Sequence, residues 1–178
     1  MRAAALMLGA SEEITLLQGE ENDWLECYRV LQGTEIWREL GNWITATKPV
    51  FGPAIAPRFA DAAAIRDADV AHFIPLRTEF SGRLHKLLAD GTGLVIPTTP
   101  CIALRKDVSG EQIGAFYQRT LTLTSIAGHA GLPQLTLPAG QIDGCPIGLS
   151  IVAGPHLDRA LLDITSRWAN LAGITKPI

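Results

Sequence analysis

The sequence predicts an α/β fold in which helices pack around a partial mixed β-sheet. Three observations carry that expectation. Apolar residues recur at near-helical spacing over long stretches, as at Leu25, Tyr28, Leu31, Ile36, Leu40, Trp43 and Ile44. Short apolar runs bounded by glycine and proline, such as Leu94-Val95-Ile96 between Gly93 and Pro97, read as buried strands. Only four strand candidates can be found in 178 residues of which 47% are hydrophobic, so the sheet is expected to be incomplete.

In chain order, Ala3 to Leu8 reads as a short helix ended by Gly9, and Ile14 to Leu17 as a short strand. Asn22 or Asp23 can cap a long helix beginning near Trp24, which Lys48-Pro49 ends because a residue before proline avoids the helical region. Val50 to Ala56 is a connector. Pro57 suits the first turn of a helix running to about Asp67. A third helix, from about Ala68 to Ala89, carries Pro75, which should kink it or mark its true start, and Asp90-Gly91-Thr92-Gly93 stops it. A loop over 97–110 leads to a helix over 111–126. Gln134 to Leu137 alternates polar and apolar, Asp143-Gly144 is a tight-turn dipeptide, and Ile147 to Val152 alternates less strictly. A hairpin follows, with Pro138-Ala139-Gly140 bulging its first strand. Asp158 opens a last helix with Leu161, Leu162, Thr165, Trp168 and Leu171 near one stripe, and Gly173 ends it. No repeat or linker divides the chain, so residues 1–178 read as a single domain.

Composition excludes several classes of function. A net charge of -3 and the lack of any Lys/Arg run argue against nucleic acid. No stretch approaches the roughly twenty apolar residues a membrane span requires. Met1-Arg2 and the apolar residues to Ala10 have the outline of a signal peptide, but Ser11-Glu12-Glu13 follows without a small-x-small cleavage site. The segment is therefore read as a helix packed on a core. Three scattered cysteines, Cys27, Cys101 and Cys145, suit neither a disulfide scaffold nor a zinc site and fit a reducing, cytoplasmic setting. Charged residues make up 19% of the chain, below the usual quarter or so, which fits extensive burial against a further surface, including another copy.

Local chemistry yields no catalytic constellation. None of the six serines, Ser11, Ser81, Ser109, Ser125, Ser150 and Ser166, lies in a Gly-x-Ser-x-Gly elbow or is followed closely by lysine. Lys48, Lys86, Lys106 and Lys176 sit in polar contexts where a lysine is a poor base. His72, His85, His129 and His156 share no metal-ligand spacing, and no metal or cofactor is expected. His129, between Gly128 and Gly131, has a pocket-like context but reads first as a histidine making one ordinary hydrogen bond. A hydrolase built on His129 and Cys145 is a remote alternative, since nothing near Cys145 would lower its pKa. Asp61, Asp67 and Asp69 read as helix-end and solvent-facing carboxylates.

From Ser125 to Gly140 the sequence, SIAGHAGLPQLTLPAG, resembles the C-terminal part of amidase signature family enzymes. Asp143-Gly144-Cys145-Pro146-Ile147-Gly148-Leu149, the helix opened by Asp158 with Leu161-Leu162, and Leu94-Val95-Ile96-Pro97-Thr98-Thr99-Pro100 match that pattern in order. Ser-Ile-Ala-Gly with Gln134 after Gly-Leu-Pro, Leu31-Gln32-Gly33-Thr34-Glu35, Gly41-Asn42-Trp43-Ile44 and Gly52-Pro53 are similar to the branch containing plant indole-acetamide amidohydrolases. The resemblance covers roughly residues 20–172. It implies the C-terminal half of the amidase signature fold, and a family that hydrolyses amides without metal or cofactor through a Ser–cis-Ser–Lys triad. In the family that triad lies in a Gly/Ser-rich segment N-terminal to everything matched here. No catalytic residue carries over, and the isolated chain is expected to be inactive, taking a small amide only if an N-terminal part is supplied. The resemblance implies that Thr124, Ser125 and Gly128 help wall the acyl site, although many members have asparagine where Gly128 stands. The other expectation is a non-catalytic module that binds a partner or forms homo-oligomers through a leftover sheet edge or apolar face.

Overall fold

In a computed structural model of the chain, residues 2–171 are described. Six helices, α1 (Arg2–Met7), α2 (Glu21–Thr47), α3 (Ala56–Ala64), α4 (Asp67–Leu87), α5 (Gly110–Ala130) and α6 (Asp158–Leu171), accompany three strands, β1 (Leu94–Pro97), β2 (Gln134–Ile142) and β3 (Cys145–Val152). The strands form one sheet of order β1-β3-β2. The α/β class stands, but both ladders are antiparallel, so the mixed sheet expected from sequence narrows to an antiparallel one among the described residues. For β2 and β3 the cause is local, since they are joined by a two-residue turn and such a turn reverses the chain. Asp143 and Gly144 adopt φ of 50° and 73°, the left-handed pair that a tight hairpin requires. The expected bulge is present as a register shift between Pro138 and Gly140.

Period-two alternation splits the core between the two faces of the sheet. Leu94, Ile96 and Val152 face one cluster, with Trp24, Cys27 and Leu31 of α2, Phe80 and Leu84 of α4, and Ile126 and Ala127 of α5. Val95, Leu135, Leu137 and Ile151 face the other, with Leu161 and Trp168 of α6 and with Leu8, which docks the end of α1 as expected. The Trp24 and Phe80 rings stack with centroids 4.3 Å apart at the centre of the first cluster. A line of hydroxyls crosses the sheet, where the buried Ser150 Oγ lies 2.9 Å from both Thr98 Oγ1 and Thr136 Oγ1.

Several boundaries differ from expectation. Ile14 to Leu17 is not a strand but an irregular turn that lays Leu16 and Leu17 on the first cluster. α2 starts at Glu21 without a side-chain cap from Asn22 or Asp23, and the acids of its first turn, Glu21 and Asp23, suit the positive end of the helix dipole. α3 stops at Ala64 rather than near Asp67, because Ile65 is extended and α4 opens at Arg66, whose backbone N–H and guanidinium both donate to the Asp69 carboxylate. Pro75 lies inside α4. α5 continues four residues past its expected end, to Ala130, and stops where Gly131 takes a left-handed φ of 62°. In α6, Leu161, Thr165 and Trp168 are buried while Leu162 is exposed. The Gly173 stop and the side chain of Leu171 lie outside the described residues.

Candidate functional site

Gly128 and His129 sit in the last turn of α5, where the helix passes under α2 and α4. Gly128 packs closely on Tyr28: a Cβ there would meet Tyr28 Cε2 at 2.8 Å, so a larger residue has to displace the end of that ring. Beside it opens a cavity of about 140 Å3 lined by Cys27, Tyr28, Leu31, Gln32 and Glu35 of α2, Arg77 of α4, and Gly128 and His129. Gln32 donates to the Tyr28 hydroxyl at 2.9 Å, and Arg77 pairs with Glu35 at 3.7 Å while donating from Nε to the His129 carbonyl at 3.3 Å. The rim is thus polar and the floor aromatic.

His129 is almost wholly buried and donates from Nε2 to the Trp24 carbonyl at 2.9 Å, with its ring edge-on to Trp24, Tyr28 and Phe80. Burial is the main cause that lowers its pKa below 6.5, and the nearby Arg77 charge adds to it, against the opposing hydrogen bond to Trp24. Cys27 lines the same cavity, but its thiol hydrogen bond goes to the Phe73 carbonyl at 3.6 Å and burial pushes its pKa up to about 11. A neutral thiol and a neutral imidazole, each bonded to a backbone carbonyl, do not form a nucleophile–base pair.

Of the three residues implied by resemblance, only Gly128 lines this cavity. Thr124 faces solvent, and its hydroxyl donates back to the Thr120 carbonyl at 3.0 Å. Ser125 is fully buried and its hydroxyl donates to the Thr122 carbonyl at 3.1 Å. Neither has a basic side chain as partner, and Lys48, Lys86 and Lys106 are all exposed. Lys176 lies outside the described residues. Cys145 pairs with Ile142 beside the hairpin turn, on a different element from His129 and its aromatic neighbours. No group of three or more His, Cys, Asp or Glu that could hold a metal occurs among the described residues. Gln32 and Glu35 lie in a motif that carries the resemblance, and with Tyr28 they are spaced for one face of α2, but the sequence alone did not place them at a site. Arg77 reaches the cavity from α4 and leaves no local signature.

No family model matches the chain. Of its length, 79% aligns with Amidase 1 of Arabidopsis thaliana, at 33% identity over 141 residues. The chain belongs to the amidase signature family. A second relative of this amidase-family chain, Outer envelope protein 64, chloroplastic, also of Arabidopsis thaliana, is 30% identical over 138 residues, 76% of the chain. A solved structure described as an amidase superposes on 88% of the chain with a TM-score of 0.69 and 23% identity, which establishes the likeness of fold. The chain covers 33% of Amidase 1, 23% of the envelope protein and 38% of that crystallised amidase, so this amidase-family polypeptide corresponds to part of each.

Proposed function

We propose that residues 1–178 form the C-terminal portion of a single amide-hydrolysing domain and do not hydrolyse amides alone. The observation that carries this reading is the ordered match to a plant amidase over 141 residues, in a sequence without a Gly-Gly-Ser-Ser run or a lysine placed to serve one. In this reading the Ser–cis-Ser–Lys apparatus comes from an N-terminal portion, and Thr124, Ser125 and Gly128 belong to the wall of the acyl site. The cavity beside Gly128, with its polar rim, supports that role for Gly128 in particular. The substrate is a small amide of the aryl- or indole-acetamide kind, taken without metal or cofactor, and the setting is the cytoplasm, with no role in binding nucleic acid. The scattered free cysteines and the slight negative charge support that setting, and no described helix is long and apolar enough to cross a membrane.

The test is ammonia release from phenylacetamide and indole-3-acetamide. Purified chain is expected to give the no-enzyme rate, and adding the N-terminal portion of a related amidase as a separate polypeptide is expected to raise it. Turnover by the chain alone that vanishes in Ser125→Ala or Cys145→Ala overturns the reading. Fluorescent-protein fusion checks the cytoplasmic setting, and recruitment to an organelle envelope would refute it.

A second reading, self-association, is favoured by a specific observation. β1 and β2 are the outer strands of the sheet among the described residues, and Leu40 and Trp43 near the end of α2, Val50 in the connector and Ile55 just before α3 are all exposed.

A further inference from the structure

On the other side of Gln32 a second cavity, of about 510 Å3, opens between α2, α3 and α5. That volume falls within the roughly 300–1,000 Å3 typical of small-molecule sites. One wall of the cleft is at Gly33 of α2, whose absent Cβ would lie 3.7 Å from Ala62 Cα of α3 and 2.7 Å from Cδ1 of Ile65, just past its end. Val30, Ile36, Ala62, Ile65 and Leu121 give it an apolar floor.

Two arginines and two carboxylates share its rim, but only one ion pair is closed among the described residues. Arg29 is held by Glu26 at 3.1 Å. Arg58, set in the first turn of α3 beside Pro57, forms no ion pair among the described residues, and its guanidinium lies 4.3 Å over the Tyr117 ring. Stacking uses the face of a guanidinium and leaves its N–H edge, which matches the two oxygens of a carboxylate, free to donate. Asp61 and Glu26 on the same rim oppose a doubly charged anion.

We propose that this cleft binds a small carboxylate with an apolar body, the carboxylate on Arg58 and the body over Ile65 and Leu121. The site stands apart from the amide-hydrolysis reading, because Thr124, Ser125 and Gly128 are not among the residues that line it.

Titration of the whole chain, followed by backbone-amide NMR, tests it with three probes: phenylacetate, its neutral analogue phenylacetamide, and inorganic phosphate. Phenylacetate is expected to saturate with a millimolar Kd and to shift the amides of Gly33, Ile65, Tyr117 and Leu121. Arg58→Gln, or the change to phenylacetamide, is expected to weaken binding by about tenfold or more, and phosphate to shift none of these amides. Arg58 and Tyr117 are both exposed, so Arg58→Gln leaves the core untouched, and the remaining amide spectrum confirms the fold. Failure of phenylacetate to saturate below about 20 mM, equal binding of the amide, binding of phosphate at these residues, or an unchanged Kd in Arg58→Gln each overturns the assignment.

Discussion

Cys27 and His129 face one cavity in states that solution chemistry can read separately. With its pKa pushed up to about 11, the Cys27 thiol carries almost no thiolate at neutral pH, whereas Cys101 is exposed on a loop. Under a limiting thiol reagent, peptide mass spectrometry should find Cys101 modified first and Cys27 only when denaturant unfolds the chain. Native Cys27 labelling as fast as Cys101 would show the first core cluster to be open. His129 makes the opposite pH demand. Its imidazole is held neutral below the unfolded value of 6.5, so the unfolded chain takes up the proton first. Stability is therefore complete above that value and falls as pH drops beneath it, by at most about 1.4 kcal/mol per pH unit for one group. Urea denaturation between pH 7.5 and 5 should show this decline in the native sequence and a shallower one in His129→Gln. Equal slopes would mean that other groups set the acid limit. Gly128 was legible only through family resemblance, since a glycine inside a helix has no local reason to be a site. The ring packed against it, Tyr28, lies a hundred positions earlier.

At the scale of elements, α5 carries the candidate wall and its two ends hold it by different means. At its start, Ser109 Oγ accepts from the Gln112 amide at 3.2 Å, while Gln112 Oε1 accepts from the Ser109 amide at 3.0 Å. Such a box satisfies two donors that a helix start leaves open. Ser109→Ala is expected to cost about 1 kcal/mol of stability in urea denaturation, with the loss confined to α5 amides in hydrogen exchange. A cost near zero would mean that water replaces the cap. The comparison with sequence is instructive here. The hairpin was readable because alternation, Asp143-Gly144 and the Pro138 to Gly140 break are all local signals that agree. Ile14 to Leu17 misled because two neighbouring leucines satisfy a strand pattern as well as a turn that drops both onto one cluster. The end of α5 was placed at 126, whereas the helix continues through Gly128 and stops at the left-handed Gly131. Antiparallel pairing of β1 with β3 had no local signal, as the two are separated by the whole of α5.

For the whole molecule the unresolved demand is apolar surface. α2 has 27 residues, a rod of about 40 Å. Its first half is seated on the core through Trp24, Leu25, Cys27 and Leu31, and α3 meets it at Gly33. Beyond that contact Leu40 and Trp43 remain 41% and 51% exposed, and Val50 in the following connector is 100% exposed. Scattered exposed apolar residues need no explanation, but a leucine, a tryptophan and a valine exposed close together in sequence at one helix end are apolar surface whose burial would be favourable. In the related amidases nearly two thirds of the chain lies outside the matched portion, and in the isolated polypeptide a second copy is the available cover. Sedimentation velocity should therefore show a mass that rises with protein concentration. Trp43→Glu combined with Val50→Glu should return it to the monomer mass while leaving the circular-dichroism spectrum folded, because both residues are exposed in the single chain. A native chain that stays monomeric at every concentration tested would refute self-association. A chain that associates equally well with both glutamates present would move the contact away from α2, to the outer edges of β1 or β2.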